Sequence, residues 1–181
     1  MDDARLTEKT LSRREVFAGR LLRVRVDEVE LPDGSRTTRE VVQHPGAVAM
    51  VPLLDSGEVV LVRQFRQPAG RALLEIPAGT LSPGEDPEAC AVRELIEEIS
   101  YRPTGLTRLA NLYLAPGYSS EYLRLFLATG LQPAQAPADA DERLLPQTLP
   151  LAEALAMVRR GEIEDAKTIC GLLHVACWPP R

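Results

Sequence analysis

Residues 79–101 read GTLSPGEDPEACAVRELIEEISY, a loop that turns into an amphipathic helix. Ser82-Pro83-Gly84 is turn chemistry. Asp86 and Pro87 supply an N-cap and a first helical residue, because the aspartate can accept from orphan amides and proline has no amide to lose. From there Val92, Leu95, Ile96 and Ile99 recur at offsets 0, 3, 4 and 7, which predicts a helix over 87–99 with one apolar stripe. On the other side Glu94 and Glu98 stand one turn apart, with Glu97 beside them. Like charges at this spacing destabilise a helix by about 0.2–0.5 kcal/mol per pair, and Arg93 offsets only part of it. A solvated acidic face is one reading of such a set. A hard divalent cation is the other, since Mg²⁺ takes oxygen ligands, keeps several waters and bridges carboxylates to phosphates.

Outward from this helix the chain alternates strand and turn signals. From Glu15 to Gln43, apolar and polar residues alternate around Pro32-Asp33-Gly34, which predicts a hairpin or meander. Ala47–Leu54 and Glu58–Phe65, joined by Asp55-Ser56-Gly57, read as a second hairpin. Further strands are predicted over 106–114 and 122–129, with Ala115-Pro116-Gly117-Tyr118 in a loop between them. An exposed Pro- and Ala-rich loop is predicted over 132–140. Helices follow over 151–160, stopped by Gly161, and over 165–177. The order suggests a mixed sheet with helices packed on it, an α/β or α+β sandwich.

Gly79, Glu85, Arg93, Glu94, Leu95, Glu97 and Glu98 fall at the spacings of the Nudix box, and the chain resembles that family through them. Ser100 stands where the box ends in glycine. The resemblance implies an α/β/α sandwich with a mixed sheet and a small N-terminal β-domain, here residues 1–45 as a dimerisation element and 46–181 as the hydrolase domain. It implies Glu94 and Glu98 as principal metal ligands, Glu97 as a further ligand and the Ala78 carbonyl as a backbone ligand, for Mg²⁺ with Mn²⁺ as a substitute. Glu97, Glu98 and Arg93 then belong to the catalytic set, with Glu85 and Arg93 orienting the other acids by ion pairing.

The flanks resemble the ADP-ribose pyrophosphatase subgroup. Gln64-Phe65-Arg66-Gln67-Pro68 and Leu74-Glu75-Ile76-Pro77-Ala78 are similar to its segment before the box. Pro116, fifteen residues beyond Tyr101 and followed by Gly117 and Glu121, is similar to its marker proline. The likeness implies substrate contacts at Arg66, Glu75, Pro116 and Gly117. It also implies a water-positioning acid on a late loop, with Glu142 chosen ahead of Asp141 and Asp139. Through an intertwined homodimer it implies contacts at Arg39 and Glu40. Phe17 reads as a core residue ahead of an adenine platform. The expected reaction is hydrolysis of ADP-ribose to AMP and ribose 5-phosphate. The alternatives are another nucleoside-diphosphate sugar or dinucleotide, or a noncatalytic ADP-ribose sensor.

Composition bounds the rest. At 181 residues, 45% hydrophobic and 26% charged, the chain holds one well-filled domain, at most with a small appendage. A net charge of −5 argues against a nucleic-acid partner, so an anionic substrate needs metal ions or local arginines. No apolar run approaches the ~20 residues that cross a bilayer, and Met1-Asp2-Asp3 lacks a signal pattern, so no membrane partner and a cytoplasmic location are expected. Cys90, Cys170 and Cys177 lack disulfide or zinc spacing and read as plain thiols. His44 and His174 read as structural residues, and Trp178 as a packing anchor.

Overall fold

The computed structural model describes residues 3–135 and 143–178, and the chain divides into two compact units. The first comprises residues 1–46 and 113–122. Its strands β1 (Lys9–Ala18), β2 (Arg23–Glu30) and β3 (Arg36–Gln43) form an antiparallel meander in that order. The expected turn joins β2 to β3: Gly34 takes φ 83°, and Asp33 accepts from the Ser35 amide at 2.9 Å. Within this unit the loop around Pro116 is stitched to the end of β3. Val42 donates to the Tyr118 carbonyl at 2.7 Å, and the Ser120 amide donates to Val42 at 2.9 Å.

β1 is exposed along nearly its whole length. Phe17, expected in the core, is 57% exposed. A Cβ on Gly19 would stand 2.8 Å from its ring, so the side chain lies along the chain reversal after β1 instead of pointing into a core.

The second unit comprises residues 47–112 and 123–181. Its strands are β4 (Ala47–Pro52), β5 (Glu58–Arg66), β6 (Arg71–Glu75), β7 (Ala78–Thr80), β8 (Tyr101–Arg102), β9 (Gly105–Tyr113), β10 (Tyr122–Thr129), β11 (Gln132–Pro133) and β12 (Leu144–Pro150). Its helices are α1 (Pro87–Ile99), α2 (Leu151–Arg160) and α3 (Ala166–Cys177). One sheet runs β7-β4-β10-β9, with β4 and β10 parallel, and another runs β12-β5-β6.

The second hairpin foreseen from sequence is therefore half right. The turn at Asp55–Gly57 forms, with Leu54 donating to Glu58 at 2.9 Å, but β4 and β5 then diverge into different sheets. β4 is buried at every position and the middle of β5 nearly so, so both need cover on two faces, which pairing as an exposed hairpin would deny them.

Alternation along β4 builds the layers. Ala47, Ala49 and Val51 join Leu125, Leu172 and Val175 in one apolar cluster on the α3 side, while Val48 and Met50 join Cys90, Leu95 and Ile99 in a second on the α1 side. This is a mixed α/β sandwich with helices on both faces. Close approach holds α3 down: a Cβ on Gly171 would meet Val51 at 2.8 Å and Ile76 at 3.2 Å. Trp178, expected as an anchor, is instead 66% exposed just past α3, with the His174 ring edge-on at 5.3 Å.

Candidate active site

The acids of 79–101 are positioned by a helix with well-made ends. Asp86 accepts from the amides of Glu88 and Ala89 at 3.0 Å, and Pro87 opens the first turn. At the other end Ser100 adopts the left-handed conformation, φ 60° and ψ 36°, with its amide bonded back to Leu95 and Ile96. The serine thus performs the task of the missing glycine, at the steric cost of a Cβ in that region.

Within α1, Glu94 and Glu98 are each only 8% exposed, and Glu97 is half-buried. A Cβ on Gly79 would lie 1.9 Å from the Glu94 carboxylate, so the strand approaches this acid as only glycine allows. The Ala78 amide, one residue earlier, donates to Glu98 Oε2 at 3.2 Å. Strand β7 and helix α1 therefore clasp two carboxylates between them.

Arg93 balances the cluster. Its Nε donates to Glu85 at 3.0 Å, and its Nη1 lies 2.8 Å from both Glu94 and Glu97. Glu85 also accepts from the Ser82 amide at 2.9 Å, fixing the loop to the helix. The Arg93 hydrogen bond, helped by the Ser82 amide, holds the Glu85 carboxyl down at about 2. One guanidinium against four carboxylates leaves an anionic site. No three or more His, Cys, Asp or Glu side chains among the described residues are gathered as ready metal ligands. The donor set nevertheless fits a hard cation: oxygens only, two of the carboxylates nearly withdrawn from water, and a surplus of negative charge. Cys90 lies beneath, its thiol pushed up to about 12 by burial and by the nearby Glu85 charge.

Arg66, at the end of β5, forms a two-pronged pair with Glu75, at the end of β6. Nε donates to Oε1 and Nη2 to Oε2, both at 2.8 Å. Glu75 is 1% exposed, whereas the Arg66 side chain is 40% exposed. Burial pushes the Glu75 carboxyl up, but the Arg66 hydrogen bonds and the Lys167 ammonium outweigh it and hold it below the usual range. The Glu75 hydrogen bonds are the main support of the Arg66 cation, with smaller contributions from the Asp165 and Glu98 charges. Along the chain, Glu75 lies three residues before Ala78, whose amide reaches Glu98.

Sequence reasoning missed Lys167. It donates to Glu75 Oε2 and lies 3.0 Å from Asp165, itself the N-cap of α3. The available signal was the single lysine of Ile163–Cys177, two residues after Asp165 and just ahead of the apolar stretch Ile169–Leu173, where a buried ammonium must have acids waiting for it.

The other expected site residues lie in the first unit or outside the described residues. Arg39 is exposed on β3 and paired with Glu8 at 2.5 Å, and Glu40 beside it is exposed. Pro116 and Gly117 are exposed in the loop held by Val42. Glu121 donates its amide to Ser119 at 3.1 Å. Asp139, Asp141 and Glu142 lie outside the described residues. His44 accepts from the Gly46 amide at 3.0 Å, a structural bond.

Comparison with known proteins identifies the family. The NUDIX domain model matches residues 43–171, and the model of a nucleoside diphosphate sugar hydrolase N-terminal domain matches residues 8–42. The chain is 41% identical to an ADP-ribose pyrophosphatase of Bacillus subtilis, covering 94% of this chain and 93% of that one. It is 38% identical to a methanol dehydrogenase activator of Bacillus methanolicus, covering 93% and 92%. A crystal structure of an ADP compounds hydrolase superposes with a TM-score of 0.84 at 27% identity, covering 94% of this chain and 93% of that one. With the clasped acids of α1 in the matched region, the chain belongs to the Nudix family of hydrolases.

Proposed function

We propose that this hydrolase is a Mg²⁺-dependent pyrophosphatase that cleaves ADP-ribose to AMP and ribose 5-phosphate. The observation that carries the reading is the cation of Arg66 held on buried Glu75 beside the acid cluster. A pyrophosphate is an anion, and an anionic site can take it only if a metal and a fixed cation offset the repulsion. Glu94, Glu98, Glu97 and the Ala78 carbonyl would hold the metal, which when bound withdraws charge from a phosphoryl oxygen and positions the attacking water.

The chain's own groups do the rest. Arg66 presents guanidinium N–H groups, which can donate in pairs to phosphate oxygens. Glu75 fixes their direction. Arg93 keeps Glu85, Glu94 and Glu97 from repelling one another out of place. Glu142, with Asp141 and Asp139 as its neighbours, is the proposed acid that orients water. Arg39, Glu40, Pro116 and Gly117 are proposed contacts for the nucleoside and terminal ribose, with residues 1–45 serving an intertwined homodimer in the cytoplasm.

The second reading is another nucleoside-diphosphate sugar, and the matched N-terminal domain of that broader class favours it. A panel of ADP-ribose, GDP-mannose and a dinucleotide, each assayed with Mg²⁺, separates the two. ADP-ribose should give the highest kcat/KM, whereas preference for GDP-mannose would replace the leading reading with the second.

A further inference from the structure

We propose that Lys167, on the first turn of α3, is a positioning residue for substrate binding that acts by locking Glu75 and, through it, Arg66. This rests on the reading that Arg66 contacts the substrate's pyrophosphate.

The Glu75 carboxylate receives one Arg66 bond on each oxygen, and Lys167 adds a third on Oε2. At 1% exposure no water can replace the ammonium, so this third bond is what stops the carboxylate turning with its arginine. Lys167 is itself fixed. Asp165 lies 3.0 Å from it and accepts from the Thr168 amide at 2.9 Å and hydroxyl at 2.5 Å. Thr168 in turn accepts from the Ile76 amide at 2.8 Å, the residue after Glu75. Gly171 lets the helix press onto Val51 and Ile76. Helix α3 is thus bonded to the chain at Glu75 and at the residue that follows it.

Lys167 is a poor choice for stability alone. A cation in the first turn opposes the helix dipole, and an ammonium at 8% exposure has lost most of its hydration. Buried ion pairs are often no better than apolar residues of similar size. What an apolar residue could not do is hold the carboxylate in one orientation. Both bonds to Glu75 run from Nε and Nη2, which leaves Nη1 of the 40% exposed Arg66 side chain outside the lock.

The test is steady-state kinetics with ADP-ribose and Mg²⁺ on Lys167→Met, Arg66→Ala and the double variant, with thermal melts alongside. Lys167→Met should raise KM about tenfold with kcat within about twofold, and should add less than about twofold to the effect of Arg66→Ala on kcat/KM. Lys167→Arg should recover part of the loss. An unchanged KM in Lys167→Met, or an effect that adds fully to that of Arg66→Ala, overturns the proposal. An unchanged KM in Arg66→Ala overturns instead the placement of Arg66 on the substrate. If Lys167→Met does not fold, Asp165→Asn keeps the helix cap and should raise KM about threefold in the wild-type background only. Independently of turnover, the Arg66 Nε–H signal in ¹⁵N NMR should lose its exchange protection in Lys167→Met, or in Asp165→Asn, and full retention contradicts the lock.

Discussion

Gly79 and Glu98 show how single residues divide the work between shape and charge. Gly79→Ala would drive a methyl into the Glu94 carboxylate, so it should displace that acid and cut kcat by at least about tenfold, as read by steady-state assay. Glu98→Gln keeps the shape and the Ala78 hydrogen bond but removes a charge, so it should lower turnover by about 10²-fold or more with an unchanged far-UV spectrum. Glu85 gives a prediction in pH. Its folded carboxyl titrates at about 2, against an ordinary value of 4.5, so it adds stability above pH 4.5 that is lost as pH falls toward 2. The stability gap between wild type and Glu85→Gln, followed by urea unfolding, should therefore be constant above pH 6 and shrink below 4.5. The shared face of Glu94, Glu97 and Glu98 was legible because helical periodicity puts three acids opposite an apolar stripe, and the place of Gly79 and Glu85 was legible only through the resemblance. The role of Arg93 at the centre of the ion pairs was legible in outline, since it stands four residues before Glu97. Lys167 was not, because Glu75, the acid it holds, lies 92 residues away in the chain.

At the scale of elements, α1 spans 87–99, as its apolar spacing predicts, and both ends follow from local chemistry. Ser100 offers a clean measurement. Because its φ is 60°, Ser100→Gly should stabilise the protein by about 0.5–1 kcal/mol in denaturant unfolding and leave kcat unchanged. Helices α2 and α3 were similarly readable, α2 ending at Gly161 with φ 74°. Strand β12 was not anticipated, since Pro146 and Pro150 argue against a strand. It survives as an edge partner of β5, where a missing amide can face away from the ladder. The pairing of β4 and β5 was misjudged because a good turn fixes only local reversal. Which sheet each strand joins is set by burial from β10, β6 and β12, and these are distant in sequence.

At the scale of the whole molecule, the family was legible in a single stretch of 23 residues, and the layered sandwich followed from element order. The expected core position of Phe17 failed for a reason of composition: a meander with β1 on its outer side has little interior to offer. Val16, Phe17 and Leu21 are each more than 45% exposed in the first unit. Exposed apolar residues such as these suit burial against a second copy. Light scattering at micromolar concentration should therefore give the mass of a dimer, and Val16→Glu combined with Phe17→Glu should shift it to that of one chain. The same pair of substitutions should leave the helical content unchanged.

The proposed reaction is hydrolysis of ADP-ribose by the acids of α1 and the cation of Arg66. Incubating the purified protein with ADP-ribose and Mg²⁺, and separating the products by chromatography, tests it most directly. AMP and ribose 5-phosphate should form in equal amounts, with their formation lost on chelation and restored by added Mg²⁺. Intact ADP-ribose after prolonged incubation with Mg²⁺ would contradict it.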